Sequence, residues 1–191
     1  MIARASERAR RRHLGAELDF QTADAQDLPF LDDTFDAVID ESVTAFVPDK
    51  QRALSEYARV VRPGGVVGLN EATWITPPPP GVADYAAFVM AGADFQSAEG
   101  WRALLEDAGL QHIQMRTYPF DARSQYMEEL RQLDVAEYVA AWRRFLSQSL
   151  TEPAFRQFAW EILRTPGNIV QFVRCIGHGL SAGRKAGRES I

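Results

Sequence analysis

Residues 18–70 read LDFQTADAQDLPFLDDTFDAVIDESVTAFVPDKQRALSEYARVVRPGGVVGLN. Two short apolar runs, 18–23 and 35–39, each lead into an acidic segment, and a helix-period segment closing on Arg62-Pro63-Gly64-Gly65 feeds a third run. This alternation predicts an α/β fold built on an open parallel sheet with helices on both faces. Ligands of such sheets lie at the carboxyl ends of the strands. Asp24 and Ala25, with Gln26 beside them, and then Asp40, Glu41 and Ser42 are therefore the candidate binding residues. A carboxylate at a strand end can accept from an exocyclic amine while the next backbone amide donates to a ring nitrogen, so Asp24 with Ala25 has the chemistry to read adenine. The competing reading of Asp24 is a turn-former, a common use of aspartate.

Outward from this stretch, 191 residues with 46% hydrophobic and 25% charged side chains suit one soluble domain able to bury its own core. We expect a single domain over 1–191: a core sheet portion at 1–73, linker and cover helices at 74–108, and further strands and helices at 109–191. The net charge of -5 argues against non-specific nucleic-acid binding, which needs basic surface. Residues 1–15 carry five arginines but no apolar run of the signal-peptide kind. No run of about 18 apolar residues occurs, so no membrane span is expected. A single cysteine, Cys175, suits a reducing compartment, and the cytoplasm is the expected location.

Residues 2–13 are rich in helix formers and Gly15 follows as a stop. Residues 18–23 and 35–39 are read as strands, 49–61 as a helix capped by Asp49, and 66–69 as a third strand. Gly64, Gly65 and Gly68 stand after a helix and before a strand, the reverse of a dinucleotide fingerprint, so they end a helix and a nicotinamide-dependent oxidoreductase is disfavoured. The prolines at 77–80 take the chain out of the sheet; 82–92 reads as a short helix, Ser97 caps another, and 110–118 reads as a strand. Residues 125–150 are expected to form a long helix with Leu130, Leu133, Tyr138, Trp142 and Phe145 facing a core. Thr151 and Pro153 should open one more helix, on which Phe155, Phe158, Ala159, Ile162 and Leu163 share a face. Residues 176–185 are taken as a short edge strand with a basic tail. His13, His112 and His178 lack metal-ligand spacing, and no metal is expected.

Three segments carry a resemblance: Ala23-Asp24-Ala25 with Leu28-Pro29-Phe30, then Thr34-Phe35-Asp36-Ala37-Val38, and finally 56–65, EYARVVRPGG. In this order and spacing the chain resembles the class I S-adenosylmethionine-dependent methyltransferases, in particular the small-molecule, type 11-like group. The resemblance implies a Rossmann-like sheet, S-adenosylmethionine as cofactor, and a small-molecule methyl acceptor. It implies that Asp24 and Ala25 meet the adenine, and that Asp40, Glu41 and Ser42 lie near the methionine half and the acceptor. Acidic groups there would favour the sulfonium cation. A general-base role for Glu41 is a weaker alternative, and no catalytic residue is assigned, because methyl transfer needs chiefly alignment of donor and nucleophile.

The family opens on a strand, a glycine-rich loop and a second strand ending in an acidic residue, and residues 1–13 read as the helix that follows these. The expectation is thus a truncated, N-terminally incomplete sheet lacking its first two strands, with extra C-terminal helices. Those strands would lie between 18–23 and 35–39. The expected function is methyl transfer to a small molecule, the alternative a non-catalytic methyltransferase-like binding or partner subunit. Neither nucleic acid nor membrane is an expected partner; a homodimer is.

Overall fold

The computed structural model describes residues 2–120, 135–153, 155–157, 160 and 166–187. Helix α1 (Ile2–Arg11) is followed by an irregular segment, then β1 (Phe35–Glu41), a 3-10 turn (Thr44–Phe46), α2 (Lys50–Val60) and the long strand β2 (Val61–Trp74). Helix α3 (Val82–Val89), the two-residue β3 (Gln96–Ser97), α4 (Ala98–Asp107) and β4 (Leu110–Pro119) come next, then α5 (Val135–Thr151), α6 (Pro166–Cys175) and β5 (Ile176–Lys185).

The caps follow the local chemistry. Asp49 Oδ1 accepts from Arg52 N at 2.9 Å to open α2, and Ser97 Oγ accepts from Gly100 N at 3.1 Å to open α4. Gly109, at φ +80°, closes α4 in the left-handed conformation. Helix α2 ends at Val60 and the chain goes directly into β2, so Arg62-Pro63-Gly64-Gly65 lies at the start of the strand.

Strand order is β1-β2-β5-β4, with β3 pairing the far end of β2. Only the β1–β2 and β2–β3 pairs are parallel; β5 runs antiparallel to both of its neighbours. The sheet is therefore mixed rather than wholly parallel, because β5 runs opposite to the two strands it joins. Residues 176–185 are also not a short edge strand: ten residues sit centrally between β2 and β4. Glycine makes that place possible. A Cβ on Gly177 would collide with the Ile75 side chain and the Tyr118 carbonyl, and one on Gly179 with Thr73.

One sheet face carries Val38, Val67 and Leu69 and is covered by Leu54, Tyr57 and Ala58 of α2 and Trp101 and Leu105 of α4. The second face is covered at the carboxyl end of β2, where Trp74 packs with Phe95 and with Phe172 of α6. Beyond that cover, Ala37, Ile39, Val66, Gly68, Leu180 and Ala182 line an open groove of about 510 Å³.

Residues 18–23 form no strand. They are exposed, and the neighbouring ladder contact is a lone Asp24–Asp27 bridge. A strand exists only with a backbone partner, and among the described residues none lies alongside this run. For the same reason β1 is an edge, with Ile39 79% exposed. Trp142 and Phe145 also depart from expectation. Both are exposed on α5 rather than facing a core, and Phe145 meets Phe155 edge-on with ring centroids 5.2 Å apart. Thr151 is the last residue of α5, its hydroxyl donating to Ser147 O at 3.0 Å, and does not open the next helix. Leu130, Leu133, Phe158, Ala159, Ile162 and Leu163 lie outside the described residues.

Candidate functional site

The parallel pair β1–β2 ends at Glu41 and Asn70, which lie in register. Asn70 Nδ2 donates to Glu41 Oε1 at 2.8 Å, and Ser42 N donates to Asn70 O at 2.9 Å. Ser42 has φ +54°, a left-handed conformation that costs a non-glycine residue about 1–2 kcal/mol. Such backbone strain concentrates at functional sites. It turns the chain sharply off the strand end into the 3-10 turn.

Beneath that turn lies a buried polar cluster. Glu71, on the inward register of β2 with Val67 and Leu69, is 1% exposed. Its Oε1 accepts from Val43 N at 2.8 Å, Thr44 N at 2.6 Å and Ala45 N at 3.3 Å, which caps the turn. Asp40, 4% exposed, accepts from the Thr44 hydroxyl at 2.7 Å, and Thr44 Oγ1 lies 3.2 Å from Tyr57 Oη. Burial, reinforced by the Asp40 carboxylate, pushes the Glu71 carboxyl well above its ordinary range. Burial likewise pushes the Tyr57 phenol up to about 12.

Opposite the free edge of β1 stands the loop carrying Asp24, Ala25 and Gln26. Asp24 is exposed, and its Oδ1 accepts from Gln26 N at 2.9 Å and Gln26 Nε2 at 3.2 Å. These bonds hold its carboxyl below the ordinary range and give it the geometry of a turn-former. Gln26 ties the loop to α2: its Oε1 accepts from Asp49 N at 3.0 Å and its carbonyl from Arg52 Nε at 2.8 Å.

Glu56 and Arg59 complete the attachment. Glu56 Oε2 accepts from Leu28 N at 2.8 Å and from Arg59 Nη2 at 2.7 Å. Arg59 also donates to Leu28 O at 3.0 Å, Phe30 O at 2.8 Å and Asp32 Oδ1 at 2.8 Å. The bond to Arg59 holds the Glu56 carboxyl low. Two of the segments singled out in the sequence, 28–30 and 56–65, are thus in direct contact.

Between loop and strand runs a groove of about 490 Å³, lined by Ala23, Ala25, Leu28 and Phe30 on one side and by Val38, Asp40, Glu41 and Val43 on the other. The structure brings Ala25, Asp40 and Glu41 to one cavity, while Asp24, Gln26 and Ser42 stand beside its lining. A cleft of this size, mostly apolar with carboxylates at one end, is suited to a small organic cation or a nucleoside. A further groove of about 800 Å³ separates α1 from residues 18–23, with Arg4, Arg8 and Arg12 along it. Among the described residues no His, Cys, Asp or Glu cluster could hold a metal ion.

Sequence reasoning missed Glu71, Thr44, Tyr57 and the Glu56–Arg59 clasp. The legible signal for Glu71 was a carboxylate on the inward alternation of an apolar strand, two residues after Leu69.

Residues 1–69 match the methyltransferase domain family. That match takes in the first third of this chain. Over 112 residues it is 36% identical to a fatty-acid O-methyltransferase of Mycolicibacterium smegmatis, an alignment covering 59% of this chain and 34% of that protein. Among solved structures, the cyclase SpnF is similar, at TM-score 0.71 and 25% identity, over 97% of this chain and 63% of that one. A geranyl diphosphate C-methyltransferase from Streptomyces coelicolor A3(2) shares the fold at TM-score 0.62 and 18% identity, over 97% of this chain and 59% of that one. The sheet thus shares the Rossmann-like fold of these neighbours, and the chain spans about a fifth to a half of the length of the curated relatives it matches.

Proposed function

We propose that this chain is part of an S-adenosylmethionine-dependent methyltransferase acting on a small molecule, and that the groove between the 23–30 loop and β1 holds the cofactor. The observation that carries this reading is the meeting of Ala25, Asp40 and Glu41 in one groove at the carboxyl end of a parallel strand, inside a methyltransferase domain segment. The structural neighbour from Streptomyces coelicolor carries S-adenosyl-L-homocysteine together with its own substrate on the same fold, which supports the assignment.

In this reading the Ala25 amide and the Asp24 carboxylate address the adenine, with Gln26 fixing the turn. Glu41 and the strained Ser42 at the strand end face the methionine half, where the Glu41 carboxylate attracts the sulfonium. The cofactor supplies the reactive methyl and its leaving group; these residues orient it. The acceptor is a small molecule, and neither nucleic acid nor a membrane surface is part of the reading. A homodimer and a cytoplasmic location belong to the proposal too; no described helix is long and apolar enough to cross a membrane.

Titration calorimetry with S-adenosylmethionine and S-adenosylhomocysteine tests the assignment. Expected are saturable binding to the chain and at least about tenfold weaker binding for Glu41→Ala, equivalent to about 1.4 kcal/mol. Absence of heat and of any melting shift at millimolar ligand, in a folded sample, overturns cofactor binding by this chain. That result favours the partner-subunit alternative.

A further inference from the structure

The polar cluster below the turn has a proton problem. Among the described residues, no ion pair reaches either Asp40 or Glu71: Lys50, the buried cation nearby in sequence, is engaged by Asp94 at 3.1 Å and by Val47 O at 3.2 Å. The groups that face the two carboxyls are the Thr44 hydroxyl, the Tyr57 phenol and the amides of the turn; across the ladder from Glu71 stands Gly179, with no side chain to contribute. Glu71 Oε1 is saturated by backbone amides, while Oε2 is enclosed with no donor aimed at it. Asp40 Oδ2 already receives the Thr44 proton. Two uncompensated anions cannot share so dry a space, whereas a carboxylic acid beside a carboxylate forms a hydrogen bond and halves the buried charge.

We propose that Glu71 keeps its proton beside Asp40 at neutral pH, and that this buried acid is the positioning device that holds residues 43–45 at the mouth of the strand-end groove. With the proton in place, donors run in one direction: Tyr57 to Thr44, Thr44 to Asp40, and the acid O–H of Glu71 to Asp40, leaving Glu71 Oε1 free to accept from the turn. Loss of the proton places a second negative charge against the first, and the chain relieves it by lifting the turn and admitting water. Asp40 and Val43 line the groove, so its shape follows the protonation of the pair. The assignment does not depend on methyl transfer.

Infrared difference spectroscopy on protein carrying carboxyl-labelled glutamate reads the acid directly, and hydrogen exchange reads the turn. At neutral pH the wild type should give the carbonyl stretch of a buried protonated carboxylic acid. That band should bleach as the pH is raised, while exchange protection at Thr44 and Ala45 falls about tenfold per pH unit beyond the titration point. Glu71→Gln retains the accepting oxygen and offers Asp40 an N–H donor. It should lose the band and keep turn protection, corrected for intrinsic rates, nearly constant across the same range. Asp40→Asn removes the competing charge but leaves Glu71 buried, so the acid band should bleach at a lower pH than in the wild type. The proposal is overturned if the wild type shows no acid band at neutral pH, if the band bleaches at the same pH in Asp40→Asn as in the wild type, or if Glu71→Gln keeps the wild-type pH dependence. Should Glu71→Gln fail to fold, the wild-type and Asp40→Asn spectra still decide.

Discussion

Replacing Glu56 by alanine should detach the wall of the groove from α2. Its side chain accepts from Leu28 N at 2.8 Å, and that amide belongs to the loop lining the cavity. Losing a hydrogen bond to a charged acceptor at a partly buried amide costs about 1.5–3 kcal/mol. Alanine returns a few tenths of a kcal/mol through its higher helix propensity. Arg59 adds little, because it keeps Asp32 and the Leu28 and Phe30 carbonyls. The net expectation is about 2 kcal/mol, seen in urea unfolding followed by circular dichroism as a midpoint shift at unchanged slope, and in melting as a fall of about 4–8 °C. Glu56→Gln keeps an oxygen for Leu28 N and should lose about half as much. Hydrogen exchange at Leu28 should accelerate in step with the stability loss. A Glu56→Ala protein within about 0.5 kcal/mol of wild type, with Leu28 exchange unchanged, would refute the clasp.

Three further expectations follow from the same geometry. Leu54→Ala empties a wholly buried position between α2 and the sheet and should cost about 2–5 kcal/mol in urea unfolding. Gly65→Ala puts a Cβ 2.6 Å from the Asp36 carbonyl and 2.9 Å from that of Arg62, at the irregularity between Phe35 and Ala37; both neighbours are backbone, so a loss of about 1–3 kcal/mol should appear with faster exchange along β1. Stability should also bend at both ends of the pH scale, for opposite reasons. The Glu71 carboxyl is raised, so its contribution is complete below its ordinary value of 4.5 and is lost as the pH climbs into its raised range. That of Glu56 is lowered, so its contribution holds above 4.5 and disappears as the pH falls through the lowered value. Urea midpoints across pH should therefore flatten on the alkaline side in Glu71→Gln and on the acid side in Glu56→Ala; the reverse pattern would reject both assignments.

How much of this was legible depends on the range of the interactions involved. Helices α1 to α4 could be read because their signals lie within a turn or two of the chain: Asp49 caps from three residues away, Ser97 does the same, and Gly109 stops α4 by its own backbone freedom. Strand β1 and the acidic strand end at Asp40 and Glu41 could be read as well, as could the segments that resemble the methyltransferase domain family. Pairing was not legible, because a strand owes its hydrogen bonds to residues far away in sequence. Residues 18–23 have the composition of a strand and no partner among the described residues, whereas the glycine-rich 176–185 looked like an edge and lies in the middle, where β2 and β4 supply both ladders. Residue types at the groove were visible in the chain; the proximity of Glu71 to Asp40, and of Glu56 to Leu28, was not. Those contacts span about 30 residues, and only a sheet that lays β2 beside β1 with α2 across it brings them together.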